Sequence, residues 1–464
     1  MRCLSRFATA PGLVCAGWML FALVLGTASL RPVSAAEPIT ILQGATVIDG
    51  TGQPPVKNQA IWIQGDKILR VADAGQEVPK GAKVIDCRGK TIIPGLISAH
   101  SHLGQTDGAR RGPEHFTRDN VIRQLRQYQA YGVTTVVSLG TNLPLFYALR
   151  DEAREGKLPG ADPLGADRGF GTENGAPGVL LQNKVDQIDR PQTPEEARAA
   201  VRAAHARGTD YIKMWVDSRN MMPTISPPVY KAVIDEAHRL KLQVFAHIYT
   251  LHDAKALVDS GLAVIAHGVR DKPVDEAFIA AMKAKDTGYI ATLALDDAFY
   301  IYADRPAWME QPFFQHAVQP ELKKQLDDPR WREQTLADRS LNAAREAVRM
   351  NQRNLVTLYR AGVRVGFGTD SGAFPLRIPG FAEHRELDLM IEAGLTPLEA
   401  ITIATGDTAK LLKLDDRGVL AAGKRADLLI LDGDPTADPA ALHRIDAVWQ
   451  RGQRVAGPVT EFTP

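Results

Sequence analysis

Cysteine is scarce in this sequence of 464 residues, which contains three. Cys3 and Cys15 lie within the first 36 residues, so Cys87 is the one cysteine that follows them. A lone cysteine can form neither an internal disulfide nor a cysteine cluster around a metal. Stability must therefore come from buried apolar side chains, which the 45% hydrophobic composition and the chain length allow.

An excess of one charge is also missing. The chain has 55 basic and 54 acidic residues, and no long block of like charge occurs. This balance lacks the basic footprint of a nucleic-acid-binding protein. A small-molecule substrate is the partner that we expect, and the sequence leaves open whether the protein forms a homo-oligomer.

The longest hydrophobic run is confined to residues 1–36. Arg2 and Arg6 precede "GLVCAGWMLFALVLGTASL", and "PVSAAEP" follows. A positive start, an apolar middle and a small-residue end are typical of a signal peptide, cleaved after Ala35 or Ala36. We expect export to the periplasm or the medium, without stable membrane association after cleavage. The alternative is an uncleaved anchor, since the run approaches the length that spans a bilayer.

Residues 37–93 have a β-like pattern. "ITILQGATVIDGTG", "NQAIWIQGDKILRVA" and "AKVIDCRGKTIIPG" alternate apolar and polar residues, and the Gly65-Asp66 break predicts a hairpin. Residues 415–464 return to this pattern in "RGVLAAGKRADLLILDGDP" and "IDAVWQRGQRVAG". We predict that both chain ends together build one small β-sandwich domain.

Between them, residues 94–414 alternate short apolar strands with amphipathic helices. The candidate strands are "GLISAH", "GVTTVVSLG", "GVLLQ", "DYIKMWV", "LQVFAHI", "AVIAHG", "GYIATLA" and "RVGFGTD". Eight such alternations predict an α/β fold with a closed parallel (β/α)₈ TIM barrel rather than a doubly wound sheet. Residues 296–350 form an aromatic-rich insertion after the seventh strand, which either covers a substrate or forms the core of extra helices.

Metal-competent side chains lie on five of the predicted strands, mostly where the strands end. These residues are His100, His102, Lys213, His247, His267 and Asp370. In a TIM barrel the carboxyl ends of the strands carry the active site. Each residue alone has an ordinary structural explanation, such as a buried histidine or a turn aspartate. Together they predict a metal site.

These residues, with "PGLISAHSHL", "GTDSG" and the tail "EAGLTPLEAITIATGDTAKLLKLDDRGVLAAGKRADLLILDGDP", resemble the amidohydrolase superfamily of metal-dependent hydrolases. The most similar branch contains imidazolonepropionase-like and Xaa-Pro-dipeptidase-like enzymes. The resemblance implies two divalent metals, most often zinc. It assigns His100, His102 and Asp370 to one metal and His247 and His267 to the other. Lys213 would bridge both as a carbamate formed with CO₂, which distinguishes this chain from the one-metal, deaminase-like branch.

The resemblance also implies a reaction. A metal-bridging hydroxide attacks an amide carbonyl, and Asp370 acts as the general base and then as the general acid. We expect an exported amidohydrolase that cleaves C–N bonds of dipeptides or N-acyl amino acids. The alternatives are hydrolysis of lactones, carbamates or phosphotriesters, hydrolysis of a cyclic amide such as an imidazolone, and a non-catalytic binding protein on the same fold.

Three further residues are candidate substrate contacts. Tyr249 and Arg270 closely follow two of the metal histidines, and His384 lies beyond the eighth strand. Tyr249 and Arg270 would bind a carbonyl oxygen or a carboxylate. Solvated loop positions, an ion pair between Arg270 and Asp271, and a helix-surface location for His384 are the competing interpretations.

Overall fold

A computed structural model describes residues 37–178, 181–182 and 185–463 of the chain. The predicted signal peptide, residues 1–36, lies outside the described residues. Val179 and Leu180 of the predicted strand "GVLLQ" lie outside them as well.

The strands are short, and most precede a helix or a turn. In chain order they are β1 (Thr40–Val47), β2 (Val56–Gln64), β3 (Lys67–Asp73), β4 (Lys83–Asp86), β5 (Lys90–Pro94), β6 (Leu96–Ser101), β7 (Thr106–Asp107), β8 (Arg110–Arg111), β9 (Val133–Leu139), β10 (Asp162–Ala166), β11 (Leu181–Gln182), β12 (Val185–Asp186), β13 (Ile212–Trp215), β14 (Val244–His247), β15 (Val264–Ile265), β16 (Gly288–Ile290), β17 (Val365–Gly366), β18 (Leu428–Asp432), β19 (Ile445–Gln450) and β20 (Gln453–Ala456).

The helices fill the stretches between the later strands. They are α1 (Arg118–Ala130), α2 (Pro144–Arg154), α3 (Pro194–Ala206), α4 (Pro227–Arg239), α5 (Leu251–Asp259), α6 (Glu276–Lys285), α7 (Leu293–Asp297), α8 (Ile301–Asp304), α9 (Pro312–Gln315), α10 (Pro320–Asp327), α11 (Pro329–Ala337), α12 (Leu341–Arg360), α13 (Phe381–Glu392), α14 (Pro397–Thr402) and α15 (Thr408–Leu411). Among the described residues, no helix combines the length and the apolar character needed to cross a bilayer.

One sheet joins the two ends of the chain. Its strand order is β20-β19-β18-β5-β1-β2-β3, and β4 also pairs with β1. The predicted hairpin is confirmed, because Gln64 pairs with Lys67 across the Gly65-Asp66 turn. Strand β5 ends at Pro94 and β6 begins at Leu96, so here the chain leaves this sheet for the parallel strands.

Eight parallel strands carry the helices. They pair as β10-β9-β6 and as β13-β14-β15-β16-β17. Single parallel bridges, Ala166–Tyr211 and Ser101–Ser371, link the two groups. A helix follows each strand, so the predicted α/β fold is confirmed. Because the strands are parallel, their carboxyl ends lie on the same side of the molecule.

The predicted third strand is wrong. Its place beside β9 belongs to β10, with Asp162 pairing with Thr135. Part of "GVLLQ" instead forms β11, which pairs with β12 in a two-stranded hairpin. The sequence of β10, "DPLGA", contains a proline and a glycine, which normally weaken a strand. Pairing with β9 outweighs this local preference.

Helix α3 shows why these segments form helices. The Thr193 hydroxyl accepts a hydrogen bond from the Glu196 amide, and Pro194 occupies the first turn. Both features favour a helix start. The α3 positions Ala197, Val201 and Ala204 are buried, so one face packs on the interior. Gly208, at φ +83°, follows the end of α3.

Several aromatic residues of the 296–350 insertion pack into the hydrophobic core. The Tyr302, Trp308 and Phe314 rings pack together with centroid distances of 5.2 to 6.1 Å. Phe381 of α13 joins this cluster, 4.9 Å from Phe314. These residues therefore support the extra helices. Phe299 differs, since it is exposed and lines a cavity.

Candidate metal centre

The six metal-competent residues of the sequence come together at the carboxyl ends of the parallel strands. The ring centroid of His267 lies 4.4 Å from that of His100 and 4.4 Å from that of His247. Lys213 Nζ lies 3.3 Å from His100 Nε2. Asp370 Oδ1 lies 3.0 Å from His102 Nε2. Strand pairing thus brings together residues that are up to 270 positions apart.

Three of them form a compact donor set. His100 Nε2 lies 3.1 Å from Asp370 Oδ1, and the donor atoms of His100, His102 and Asp370 all lie within 4.8 Å of one another. His100 Nδ1 contacts the Ala266 carbonyl at 2.5 Å, so the proton of the neutral ring is on Nδ1. A lone pair on Nε2 therefore faces a carboxylate oxygen. Two acceptor atoms in this position fit a cation between them.

His247 and His267 form the second donor set. His247 Nε2 donates to Asp217 Oδ2 at 3.1 Å, while His247 Nδ1 is buried and has no hydrogen-bond partner among the described residues. His267 Nδ1 lies 2.9 Å from the Thr292 hydroxyl. An oxygen bound to one ring nitrogen fixes the orientation of the ring and leaves the other nitrogen for a metal. The unpartnered Nδ1 of His247 fits that pattern.

Burial keeps the imidazoles of both sets neutral. It lowers the pKa of His100 to about 3 and that of His247 to about 4, and the nearby Lys213 contributes to both shifts. Burial would raise the pKa of Asp370, but the Arg377 guanidinium and the two neighbouring histidines hold it well below its usual range. Neutral imidazoles around an ionised carboxylate are the protonation states that a metal requires.

Lys213 is fully buried beside these groups. Its Nζ lies 5.3 Å from the centroid of the Trp215 ring, and no described carboxylate lies within ion-pair distance of it. Burial lowers the pKa of Lys213 to about 7, partly opposed by the charge of Asp370. The side chain is thus largely available as a neutral amine near neutral pH.

Asp370 adopts an unusual backbone conformation. Its φ is +61°, which costs an aspartate about 1 kcal/mol. The amides of Thr369 and Asp370 both donate to the His100 carbonyl, at 3.0 and 2.9 Å. The flanking glycines permit this close approach. A Cβ on Gly368 would lie 2.7 Å from the His100 backbone nitrogen, and one on Gly372 would lie 2.0 Å from the His102 carbonyl oxygen.

A cavity of about 350 Å³ opens over the donor sets. His102, His247, His267 and Asp370 form part of its lining. The rest of the wall combines cations with aromatic side chains, among them Arg111, Arg219, Arg270, Arg377, Trp215, Phe299 and Phe374. This is a suitable wall for a substrate that has both an anionic and an apolar part.

One of the four arginines has no carboxylate partner in the part of the chain that the structure describes. Arg219 pairs with Asp217 at 2.7 Å, Arg270 with Asp296 at 3.0 Å, and Arg377 with Asp370. Arg111 stacks on Phe374 with its guanidinium carbon 4.0 Å from the ring centroid. No described carboxylate lies within ion-pair distance of Arg111. Its positive charge is therefore available to an anionic group in the cavity.

The structure separates the three candidate substrate contacts. Arg270 lines the cavity, and its ion-pair partner is Asp296 rather than Asp271. Tyr249 lies beneath two arginines, 4.1 Å from the Arg219 guanidinium carbon and 4.6 Å from that of Arg270. It supports them rather than forming part of the described wall.

The expectation that His384 contacts the substrate is wrong, and so is a helix-surface location. Its side chain is fully buried, and Nε2 donates to the Tyr131 carbonyl at 2.8 Å. The Phe313 ring packs edge-on against it at 4.8 Å. The reason is that α13 directs this position into the aromatic core of the insertion, not into the cavity.

Sequence reasoning missed several residues of the site. Asp217 lies two residues after β13, so the rule that strand ends carry the site would have found it. Arg111 lies in the two-residue strand β8 and Arg377 in the segment before α13, and neither position has a periodic pattern that identifies it. Ser371, next to Asp370, has a structural role, since its hydroxyl is buried and bonded to Glu383.

Comparisons with known proteins give one family match and several similar enzymes. A profile described as the amidohydrolase family matches residues 91–455. An imidazolonepropionase of Streptomyces griseus is 23% identical over 422 residues, which are 88% of this chain and 95% of that protein. A crystal structure of a Xaa-Pro dipeptidase with bound methionine has a TM-score of 0.71 at 24% identity, covering 90% of this chain and 99% of that one. The A. niger ochratoxinase structure has a TM-score of 0.72 at 20% identity, covering 91% and 97%.

Proposed function

The chain belongs to the amidohydrolase family and is a hydrolase acting on carbon–nitrogen bonds, and from this premise we propose that it cleaves an amide bond in dipeptides or N-acyl amino acids with the help of two divalent cations. One observation carries the metal part of this proposal. The donor atoms of His100, His102 and Asp370 lie within 4.8 Å of one another, with His100 Nε2 3.1 Å from Asp370 Oδ1.

The two donor sets divide the cations. His100, His102 and Asp370 would hold one, and His247 and His267 would hold the other. Imidazole and carboxylate donors suit zinc. Bound there, the cations would make a water molecule nucleophilic at neutral pH and polarise the scissile carbonyl.

Lys213 would complete both sets after reaction with CO₂. The neutral amine attacks the carbon of CO₂, an N–C bond forms and a proton leaves, which gives a carbamate with one negative charge. The lowered pKa of the Lys213 side chain, about 7, supports this step, because only the unprotonated amine is nucleophilic.

Asp370 would move the proton during hydrolysis. It receives a proton from the attacking water and passes it to the leaving nitrogen. Arg377 pairs with Asp370 Oδ2 and so holds the carboxylate in place while it does this. Asp217 orients the His247 ring by accepting its Nε2 proton.

Arg111 supports the choice of substrate. A dipeptide or an N-acyl amino acid carries a carboxylate close to its amide bond, and Arg111 is the unpaired cation of the described cavity wall. Trp215, Phe299 and Phe374 offer apolar contact to the rest of such a molecule. The Xaa-Pro dipeptidase and ochratoxinase names of structurally similar proteins are consistent with this class.

Hydrolysis assays with zinc-reconstituted protein test the proposal. N-acyl amino acids and dipeptides are compared with the same compounds carrying a C-terminal amide in place of the carboxylate. We expect Arg111→Gln to lower kcat/KM for the carboxylates by about 10- to 100-fold, mainly through KM. The amides should be poor substrates for both proteins. Arg110→Gln is the matched control, since Arg110 is exposed and absent from the described cavity wall.

A cyclic amide is the second candidate substrate, favoured by the similarity to imidazolonepropionase. Faster hydrolysis of an imidazolone ring than of any linear amide would select it. Activity confined to lactones, carbamates or phosphotriesters would refute amide specificity. No activity together with no bound divalent metal would point to a binding protein.

Two further parts of the proposal concern architecture and location. We propose that the eight parallel strands form a closed (β/α)₈ barrel, supported by the Ala166–Tyr211 and Ser101–Ser371 bridges. The sheet from both chain ends would be part of a β-sandwich. The pattern of residues 1–36 supports export, which fractionation of expressing cells with mass spectrometry of the mature N-terminus would test.

A further inference from the structure

Glu383 is a fully buried carboxylate directly behind the candidate metal centre. It lies on α13, and no described lysine, arginine or histidine forms an ion pair with it. Its Oε2 accepts a hydrogen bond from the Gly380 amide at 2.9 Å. A buried carboxylate without a cation is costly, so a specific arrangement of donors must stabilise it.

Three hydroxyl groups supply that arrangement on the other oxygen. Oε1 accepts from Ser98 at 3.0 Å, from Thr369 at 2.7 Å and from Ser371 at 2.7 Å. The Ser371 hydroxyl is in turn 2.6 Å from the Tyr128 hydroxyl. Because Ser371 donates its proton to Glu383, Tyr128 is the donor in that second contact.

The three hydroxyls belong to the segments that carry the first donor set. Thr369 and Ser371 are the neighbours of Asp370, whose backbone is in the left-handed region. Ser98 precedes His100 by two positions on β6. One carboxylate oxygen thus connects the strand of the two histidines to the loop of the aspartate.

We propose that Glu383 is a positioning residue, which holds the β6 segment and the Thr369–Ser371 segment in the register that brings His100, His102 and Asp370 together. It contacts neither the cavity nor a donor atom of the set. Its role is to keep Asp370 in a conformation that an aspartate seldom adopts. This inference rests on the proposed metal centre and adds to it a residue that lies outside the cavity and the donor set.

Glu386 provides a matched control on the same helix. It is also buried, and its oxygens accept from the Leu293 and Ala294 amides at 2.9 and 2.7 Å. These partners belong to α7 rather than to the segments of the donor set. Variants of Glu383 and of Glu386 therefore both lose a buried carboxylate that accepts backbone hydrogen bonds. Only the Glu383 variant also loses the contacts with the neighbours of Asp370.

The test uses the full chain and measures zinc affinity by competition with a chromophoric chelator, together with thermal unfolding of the metal-free protein. We expect Glu383→Gln to weaken zinc binding at the tighter site by tenfold or more and to shift the visible absorption of the Co²⁺-loaded protein. Glu386→Gln should lower the unfolding temperature without changing either metal readout. Unchanged zinc affinity and an unchanged Co²⁺ spectrum in Glu383→Gln would overturn the proposal.

Thr369→Val covers the case in which Glu383→Gln does not fold. It keeps the shape of the side chain and removes one donor to Glu383, so zinc affinity should fall in the same direction. Wild-type affinity in this variant would count against the positioning role. A wild-type chain that binds no zinc would refute the metal centre together with this role, whereas normal zinc binding by folded variants would refute this role alone.

Discussion

The two halves of the candidate metal centre differ in how completely the protein alone arranges them. In the His100, His102 and Asp370 half, the donor atoms already converge within 4.8 Å. In the Lys213, His247 and His267 half, each described polar contact goes to a different neighbour, such as Asp217 or Thr292. The first half is held by backbone pairing of β6 with the Asp370 segment. The second is also placed by strand pairing, along β13, β14 and β15, and in the proposal its anionic ligand is a carbamate on Lys213.

This difference indicates where metal binding begins. A converged set offers three donors without rearrangement, so we expect the first half to bind the tighter cation. Under the proposed chemistry, the second half would gain its anionic donor when Lys213 carries a carbamate. Cation binding to that half should therefore depend on CO₂ and on the orientation of His247.

Asp370→Asn should have the largest effect, because it removes the anionic donor of the first half and the proposed proton carrier. We expect kcat/KM to fall by at least about 1,000-fold and zinc content to drop. Both quantities are measured on protein reconstituted with zinc. Asp296→Asn, which changes a cavity carboxylate paired with Arg270, should retain its zinc. Equal zinc content in Asp370→Asn and wild type would contradict the converged first half.

Asp217→Asn should weaken the second half alone. The amide no longer offers a carboxylate to the His247 Nε2 proton, so the ring loses its orienting partner. We expect about a 10- to 100-fold loss of affinity for the weaker cation and little change for the tighter one. Isothermal titration with zinc at constant CO₂ resolves the two affinities. If both affinities fell together, the two halves would not be independent.

Lys213→Met should have the smallest effect on the first half of the metal centre. It should also raise the stability of the metal-free protein. The folded pKa of Lys213, about 7, lies below its ordinary value of 10.5 because the side chain is buried. The unfolded chain therefore binds the proton more readily between these values. As the pH falls from 10.5 to about 7, the unfolded chain takes up a proton that the folded protein does not, so the free energy of unfolding decreases. Below about pH 7 both states bind the proton, and the free energy of unfolding decreases no further on this account.

Metal-free Lys213→Met should accordingly be more stable than metal-free wild type at pH 6, by an amount on the order of a few kcal/mol. The difference should shrink as the pH rises towards 10.5. Denaturant unfolding of both proteins at several pH values measures it. If the difference in unfolding free energy between the two proteins did not vary with pH, the buried charge of Lys213 would not destabilise the folded state.

Sequence patterns predicted the site better than its surroundings. The rule that polar residues end parallel strands gathered His100, His247 and Asp370, because strand order and period determine where those side chains point. The strand prediction failed for β10, because Pro163 and Gly165 are unusual in a strand. This strand forms through its pairing with β9. The site prediction failed for His384, because the face that a helix buries depends on its neighbours.

What the sequence determined by itself is the set of chemical groups and the alternation that brings them to one side of the molecule. The period of strands and helices is local, so it can be read along the chain. The tertiary structure alone decided that Arg111 has no carboxylate partner among the described residues while Arg270 pairs with Asp296, and that Glu383 contacts both sides of the first donor set. These facts depend on contacts between segments far apart in the chain. Their energies arise only when packing has removed water from between them.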